Sequence, residues 1–442
     1  MKKTILALMA VLLVFAACQE KENAYTTYKM VVELTYADDQ KAFVSADVPV
    51  VLRSSSSTVT YDGKTDAQGR VTFTVPAGVY EVSASHRKSS QGSLYVFNGL
   101  KSNVVVSEQW NESTAVAVSM VASRTNQLVI KELYGGGCPT DVGGKVHQFD
   151  KYVTLYNNSS EPVTLENLCL GFSAPGRAGF SPKGFYDKDG NLPYESAGFI
   201  PAVGTIAYFS APVTLEPYSQ ILIALNGGID HTQTYSQSVN LSKADYVVYE
   251  PTVLTHPKMH PAPAATISAE RYLKAEMFGM GNGLQLSGSP GFIVFTTRGV
   301  TPSAFVHNDA NLWAEKQPQR NQSDTYIKVP TEWILDAVEV YEADRLDKCK
   351  KRLTASVDAG YTPLTLRLGH TSYRNVDKAA TEALEENKGK LVYDYAKVVE
   401  GSREPSGIDA EASMKKGAKI IYQDTNNSSN DFHERVKSSL RD

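Results

Sequence analysis

Between Tyr28 and Val121 apolar and polar side chains alternate with a period of two. The runs YKMVVELTY (28–36), PVVLR (49–53), RVTFTV (70–75), YEVSAS (80–85), NVVVS (103–107) and TAVAVSMV (114–121) are rich in β-branched and aromatic residues and read as strands. Asp66–Gly69 and Pro76-Ala77-Gly78 punctuate them as turns, which predicts RVTFTV and YEVSAS as an antiparallel pair. A polar stretch, SRTNQ (123–127), then marks a boundary. Beyond it stand LVIKELYGGGCP (128–139), KYVTLYNNSSEPVTLENLCLGF (151–172) and VTLEPYSQILIALN (213–226). Asn157-Asn158-Ser159-Ser160 is expected to reverse the chain between two buried strands, since Asn and Ser side chains bond their own backbone. The pattern implies an all-β chain in two units, 28–122 and 126–442.

Long insertions interrupt the second unit. Residues 173–200 contain SAPGRAGFSPKGFYDKDGNLPYE, 227–290 contain GGIDHTQTYSQ and THPKMHPAPAA, and 296–326 end in QPQRNQSDTY. VDKAATEALEENK (376–388) reads as a short helix. Loops of this length in a compact unit are functional or disordered. Tyrosine is frequent, at 24, and its ring with a polar tip suits adaptable recognition surfaces. Tyr186, Tyr194 and Tyr235 are therefore candidate binding residues. The insertions at 173–200 and 227–290 are the expected binding surface, with 28–122 as a spacer.

The sharpest candidate chemistry is HPKMHP, which places His256, Met259 and His260 within six residues. Met277 and Met280 follow in AEMFGMGNG. Imidazole and thioether together suit copper or an axial position on haem iron. The same residues also fit a proline-bounded exposed loop, with Met277 and Met280 on one face of a short core helix. Asp187, Asp189 and Asn191 have the spacing of a calcium loop, but Leu192 stands where that loop needs glycine, and Asp189-Gly190 reads as a turn. No G-x-S-x-G, H-E-x-x-H or P-loop occurs. The eight histidines are scattered, and none pairs with a Ser or Cys in a recognisable frame. Catalysis and a bound cofactor are not expected, and no metal is assigned.

The amino end changes the picture most. Lys2 and Lys3 precede an apolar stretch of 13 residues, Ile5–Ala17. That is short of the roughly 20 needed to span a bilayer, and has the layout of a secretory leader. Residues 19–27 are polar and read as a tether. The formal charge of −4 becomes −6 once residues 1–17 and their two lysines are removed. A charge this mild and mixed excludes a basic nucleic-acid surface. Cys138, Cys169 and Cys349 remain beyond the leader and form no CxxC. They allow one disulfide with a thiol left over, Cys138 with Cys169 being the best pair, or three buried free thiols.

Several resemblances add to this reading. Phe15-Ala16-Ala17-Cys18 resembles a bacterial lipobox, which implies cleavage before Cys18 and acylation of that residue. The following Gln19-Glu20-Lys21-Glu22-Asn23 resembles the surface-export signal of Bacteroidota lipoproteins, which implies the outer face of the outer membrane. KTDAQGRVTFTVPAGVYEVSAS resembles the carboxypeptidase-regulatory, prealbumin-like β-sandwich. Glu132-Leu133-Tyr134, Leu155-Tyr156-Asn157, Pro162-Val163, Leu165, Leu168, Leu170 and Leu215-Glu216-Pro217 resemble the lamin-tail domain, an immunoglobulin-like sandwich. Asp424, Asn427, Asp431 and Phe432 fit its closing segment. Taken whole, the chain resembles a family of Bacteroidota surface lipoproteins commonly encoded beside TonB-dependent transporters. The resemblance implies an accessory or ligand-capture partner of such a transporter, for an iron- or metal-containing nutrient. The alternative is a structural or adhesive surface protein with no small ligand.

Overall fold

The computed structural model describes residues 26–441 apart from 56, 91–92, 125–126, 180–185, 188–190, 280–283, 285–287 and 315–322. Cys18, the leader, nearly all of the tether, Asp189 and Met280 lie outside the described residues.

The first unit holds β1 (Thr27–Tyr36), β2 (Pro49–Ser54), β3 (Thr60–Lys64), β4 (Arg70–Pro76), β5 (Gly78–Ser90), β6 (Ser93–Val106) and β7 (Val116–Arg124), in the order β3-β2-β5-β6-β7-β1-β4. β7 joins two halves. Val116–Met120 run parallel to β1, while Val121–Arg124 pair antiparallel with β6. The halves face each other across one core that includes Val32, Leu52, Phe73, Val82, Phe97 and Val118. Strict alternation follows from having one wet face, as the exposed-buried pattern of β4 shows.

The expected pairing of RVTFTV with YEVSAS is not formed. β4 pairs with β1, and β5 pairs with β2 and β6. The Pro76-Ala77-Gly78 corner carries the chain across the sandwich instead of reversing it within one sheet. The Tyr80 hydroxyl donates to the Pro76 carbonyl at 2.8 Å and braces that corner. Phe73 and Val82 thereby meet in the core from opposite halves.

The second unit opens with β8 (Leu128–Tyr134), the short pair β9 (Cys138–Pro139) and β10 (Val146–His147), β11 (Tyr152–Asn157), β12 (Val163–Leu165) and β13 (Leu168–Phe172). It continues with β14 (Phe199–Ala202), β15 (Thr205–Tyr208), β16 (Val213–Leu215), β17 (Gln220–Ala224), β18 (Tyr246–Val248), β19 (Tyr272–Met277) and β20 (Gly291–Thr296). It ends with β21 (Leu312–Trp313), β22 (Tyr326–Pro330), β23 (Ile334–Glu342), β24 (Thr362–Leu364), β25 (Thr371–Arg374) and β26 (Phe432–Arg435). Twelve of these strands make one sheet, β24-β23-β20-β13-β15-β19-β18-β17-β11-β8-β25-β26. The sheet curls so that Ile130, Leu155, Leu170, Ile223, Val294 and Val338 share one core. The reversal after β11 is built as expected, with Asn157 Oδ1 accepting from the Ser159 N–H at 3.2 Å.

The insertions cover the outside of this sheet. β14, β22 and β21 form a three-stranded sheet, and Ile200, Phe305 and Ile327 pack over Cys169, Ile293 and Phe295. Val239, Leu241 and Ile267 cover Tyr134, Tyr152 and Ala224. Ile408, Ile420 and Tyr422 cover Val129, Tyr156 and Tyr373. Every residue of β8 and β11 is buried, so both faces of these strands are dry. The expected helix is present as Lys378–Glu382 followed by a 3-10 turn at Glu385–Asn387. Met277 ends β19 and is exposed, so it lies on a strand and not on the expected core helix.

All three described cysteines are free, so the expected Cys138–Cys169 disulfide is not formed. Cys169 sits under the three-stranded cover, and its thiol donates to the Asn167 carbonyl at 3.2 Å. Cys138 lies on the short β9–β10 pair and donates to Asp150 Oδ2 at 3.5 Å. Burial pushes the Cys138 thiol up to about 12 and the Cys169 thiol further, which makes both poor nucleophiles. Alkylation of the native protein should therefore leave both unlabelled. After denaturation without reductant, Cys138, Cys169 and Cys349 should all label, and a shortfall of two would restore the disulfide.

Candidate functional site

Four of the eight histidines gather at one end of the second unit. The HPKMHP segment forms a turn in which the His260 N–H donates to the His256 carbonyl at 2.9 Å. His256 is exposed, while Met259 and His260 are buried. The turn lies against Gly227, whose φ of +56° and crowding by the His231 ring and Pro261 leave no room for a side chain. His231 in turn meets His147, with Nδ1 and Nε2 at 3.2 Å. Tyr235 stacks on the His147 ring at 4.3 Å, and Phe149 stands 6.1 Å from the His256 ring. Among the described residues, no group of three His, Cys, Asp or Glu side chains has the arrangement of a metal site.

Tyr186 and Tyr194 have a different task from the one the sequence implied. The Tyr194 hydroxyl donates to the Arg352 carbonyl at 2.6 Å, and the Tyr186 hydroxyl donates to the Lys351 carbonyl. Tyr194 is 1 % exposed and belongs to the core under the three-stranded cover. It braces the insertion and presents nothing to a ligand. Of the three tyrosines, Tyr235 alone lies beside the histidine cluster.

Sequence reasoning missed the cleft between the two units. It is an open groove of about 580 Å³, lined by Pro49, Ser85 and His86 from the first unit. Val376–Ala379, Pro405, Ser406, Gln423, Thr425 and Asn430 line it from the second. His86 Nε2 lies 2.9 Å from the Tyr36 hydroxyl. The Asp377 carboxylate caps the helix that follows it by accepting from the Ala380 N–H at 3.0 Å. Ser406 donates to Glu404 at 2.7 Å. The walls thus offer both signs of charge, an imidazole, hydroxyls and amides, of which His86, Asp377 and Ser406 are held by bonds within their own units.

The cleft keeps its shape because the units are bolted together beside it. Asn98 Nδ2 donates to the carbonyls of Thr425 at 2.5 Å and Asn426 at 3.1 Å. The Arg53 guanidinium lies 5.3 Å from the Tyr361 ring centre. Asp431 holds the far side of this loop, accepting from Thr425 N–H at 2.8 Å, Thr425 Oγ1 at 2.7 Å and Asn427 N–H at 3.2 Å. Arg374 pairs with Asp336, Asp424 and Asp431. Three carboxylates share one buried cation, and burial pushes Asp336 and Asp431 up to about 7.

A family model for proteins of unknown function, DUF4876, matches residues 216–439, just over half of the chain. The chain belongs to the DUF4876 family. Its fold is similar to the crystal structure of a DUF4876 family protein from Bacteroides thetaiotaomicron, with a TM-score of 0.50 and 18 % identity over 92 % of this chain and 94 % of that one. A likeness this distant in sequence shows the fold, across both units. Comparison with curated proteins gives no match. The DUF4876 match starts at Glu216 and spans His231, the HPKMHP turn and the 424–431 loop. Every cleft residue of the second unit falls inside it, and those of the first unit fall before it. The closing segment of this DUF4876 sequence repeats Asn-Asn-Ser-Ser, and its Asn427 side chain accepts from Ser429 N–H at 3.0 Å to start the helical turn that carries the cleft residue Asn430.

Proposed function

We propose that this DUF4876 chain is a surface-exposed outer-membrane lipoprotein, anchored through Cys18, that captures a small ligand for a TonB-dependent transporter and carries out no reaction. The two units are read as prealbumin-like and lamin-tail-like. The observation that supports capture is the inter-unit cleft. Its volume of about 580 Å³ falls among small-molecule sites, which run from about 300 to 1,000 Å³. Its polar groups are of mixed sign, with His86, Asp377 and Ser406 held in place, which suits orientation of a polar nutrient. An iron- or metal-containing nutrient would arrive with its metal already complexed, and the walls would read the organic part. Blocking the cleft tests this: Ser406→Trp should abolish co-purification of a bound small molecule seen by native mass spectrometry in wild type. Unchanged retention would move the site elsewhere.

The packed insertions favour the second reading, a structural or adhesive surface protein. Pull-down of the native lipoprotein from outer membranes separates the two. A TonB-dependent transporter enriched over an unrelated lipoprotein control supports the first. The anchor has its own test. Palmitate labelling should be lost in Cys18→Ala, and protease added to intact cells should digest the wild-type protein. Label retained by the variant, or full protection from protease, would sink that part.

A further inference from the structure

The His147–His231 pair belongs to no wall of the cleft. The Gly227 carbonyl lies 2.8 Å from His231 Nε2 and can only accept, so that nitrogen carries hydrogen. His231 Nδ1 then presents its lone pair to His147 Nε2, which donates across 3.2 Å. The two residues are 9 % and 4 % exposed, so the bond is largely shielded from water. A proton on His231 Nδ1 turns the acceptor into a donor and leaves two N–H groups face to face.

We propose that this pair is a proton-operated latch on the second unit's 227–264 insertion. At neutral pH one hydrogen bond ties β10 to the 3-10 turn His231–Gln233. Mild acid breaks it and frees the His231 turn and the HPKMHP turn packed on it, while Val239, Leu241 and Ile267 keep the rest of the insertion seated.

The charged surroundings fit a neutral pair. Burial pushes both imidazoles below their ordinary value, and His231 further disfavours charge on His147, while the Gly227 carbonyl and Asp230 favour charge on His231 without outweighing its burial. Asp150 favours charge on both rings. Its Oδ2 is already engaged by Ser238 at 2.6 Å, Tyr134 at 3.2 Å and Cys138 at 3.5 Å, and Lys151 lies beside it. Burial lowers the Lys151 ammonium to about 8, and Arg177 faces it. Asp230 caps the His231 turn, and Tyr235 stacks on His147. Asp141 holds Ser236, Arg441 holds the Gln237 carbonyl, and His256 and His260 stand on the neighbouring turn. A lowered imidazole keeps the folded state neutral while the unfolded chain takes up protons below about pH 6.5. The latch therefore has its full stability above that value and weakens progressively as pH falls below it. His433, pushed down to about 3, follows the same sign for the whole fold. Asp336 and Asp431, pushed up, follow the opposite one. A local readout is needed.

Hydrogen–deuterium exchange of the full mature chain at about pH 7.5 and about pH 5.5, corrected for intrinsic rates, supplies it. Protection of peptides within 227–238 and 255–264 should fall by about tenfold or more in acid, since a unit of coupled protonation is a factor of ten, while 128–134 holds. His147→Gln and His231→Gln should flatten this response, and His256→Ala should keep it. Equal protection at both pH values in wild type, or an undiminished response in both Gln variants, overturns the latch. Should the Gln variants misfold, imidazole titration of the wild type by NMR decides. Two rings that titrate below about 6.5 support the latch, and ordinary values for both overturn it.

Discussion

Arg352→Met should cost the second unit about 3–5 kcal/mol, because it strands a buried carboxylate. Glu339 and Arg352 are both fully buried. Arg352 Nε donates to Glu339 Oε1 at 2.7 Å, and the N–H groups of Arg352 and Leu353 donate to Oε2 at 3.1 and 2.9 Å. Burial alone would raise the Glu339 carboxyl. Arg352 and Lys351, with the two backbone donors, hold it below the usual carboxylate range instead. Methionine keeps most of the volume and removes the charge. It also orphans the Pro175 carbonyl that Arg352 Nη1 reaches at 3.0 Å. Denaturant unfolding followed by tryptophan emission reads this well, since Trp313 and Trp333 report on the second unit. Adding Glu339→Gln to the variant should recover part of the loss, as removing both charges is far milder than removing one. A loss under about 1 kcal/mol for Arg352→Met would mean that Lys351 alone neutralises the site.

Asp431→Ala should cost a comparable amount and also uncouple the units. Its carboxylate satisfies two buried backbone N–H groups and one hydroxyl, and an unmade buried bond costs about 1–3 kcal/mol each. The 424–430 loop then loses the shape that presents the Thr425 and Asn426 carbonyls to Asn98. Trypsin should cut faster between the units, at Arg124, than in wild type. Denaturation that stays a single transition of unchanged midpoint would show that Arg374 and Asp424 hold the loop without Asp431.

Most strands of the first unit were legible because they keep one face wet. β4 displays its period in full. What failed there was the partner of β4, since a three-residue corner does not say whether it turns within a sheet or across a sandwich. In the second unit the alternation is lost at β8, where the Leu128–Tyr134 side chains are buried on both faces. The cover comes from the Gly-, Pro- and Tyr-rich insertions, which read as loops because their burial depends on a surface far away in sequence. Tyr194 looked like a recognition residue, yet its hydroxyl is spent on a carbonyl 158 positions away. Lys131 is the extra residue where β8 slips against β11, and it pairs with Glu411. Neither the slip nor that partner leaves a local trace. The His147–His231 pair is hidden for the same reason, its members lying 84 residues apart.

The segment 424–439 locks distant parts of the molecule at once. Asn98 reaches Thr425 over 327 residues, and Ser439 donates to Glu132 over 307. β26 closes the sheet beside β25, which itself lies on the early strand β8. During vectorial synthesis, therefore, neither the β26 edge of the large sheet nor the Asn98 bonds between the units exist until this segment has emerged. Contacts of such long range also fold slowly once they become available. The first unit can close its own seven-stranded sheet while the second is still being made, so it is the larger sheet that waits with an unpaired β25 edge until 424–439 arrives.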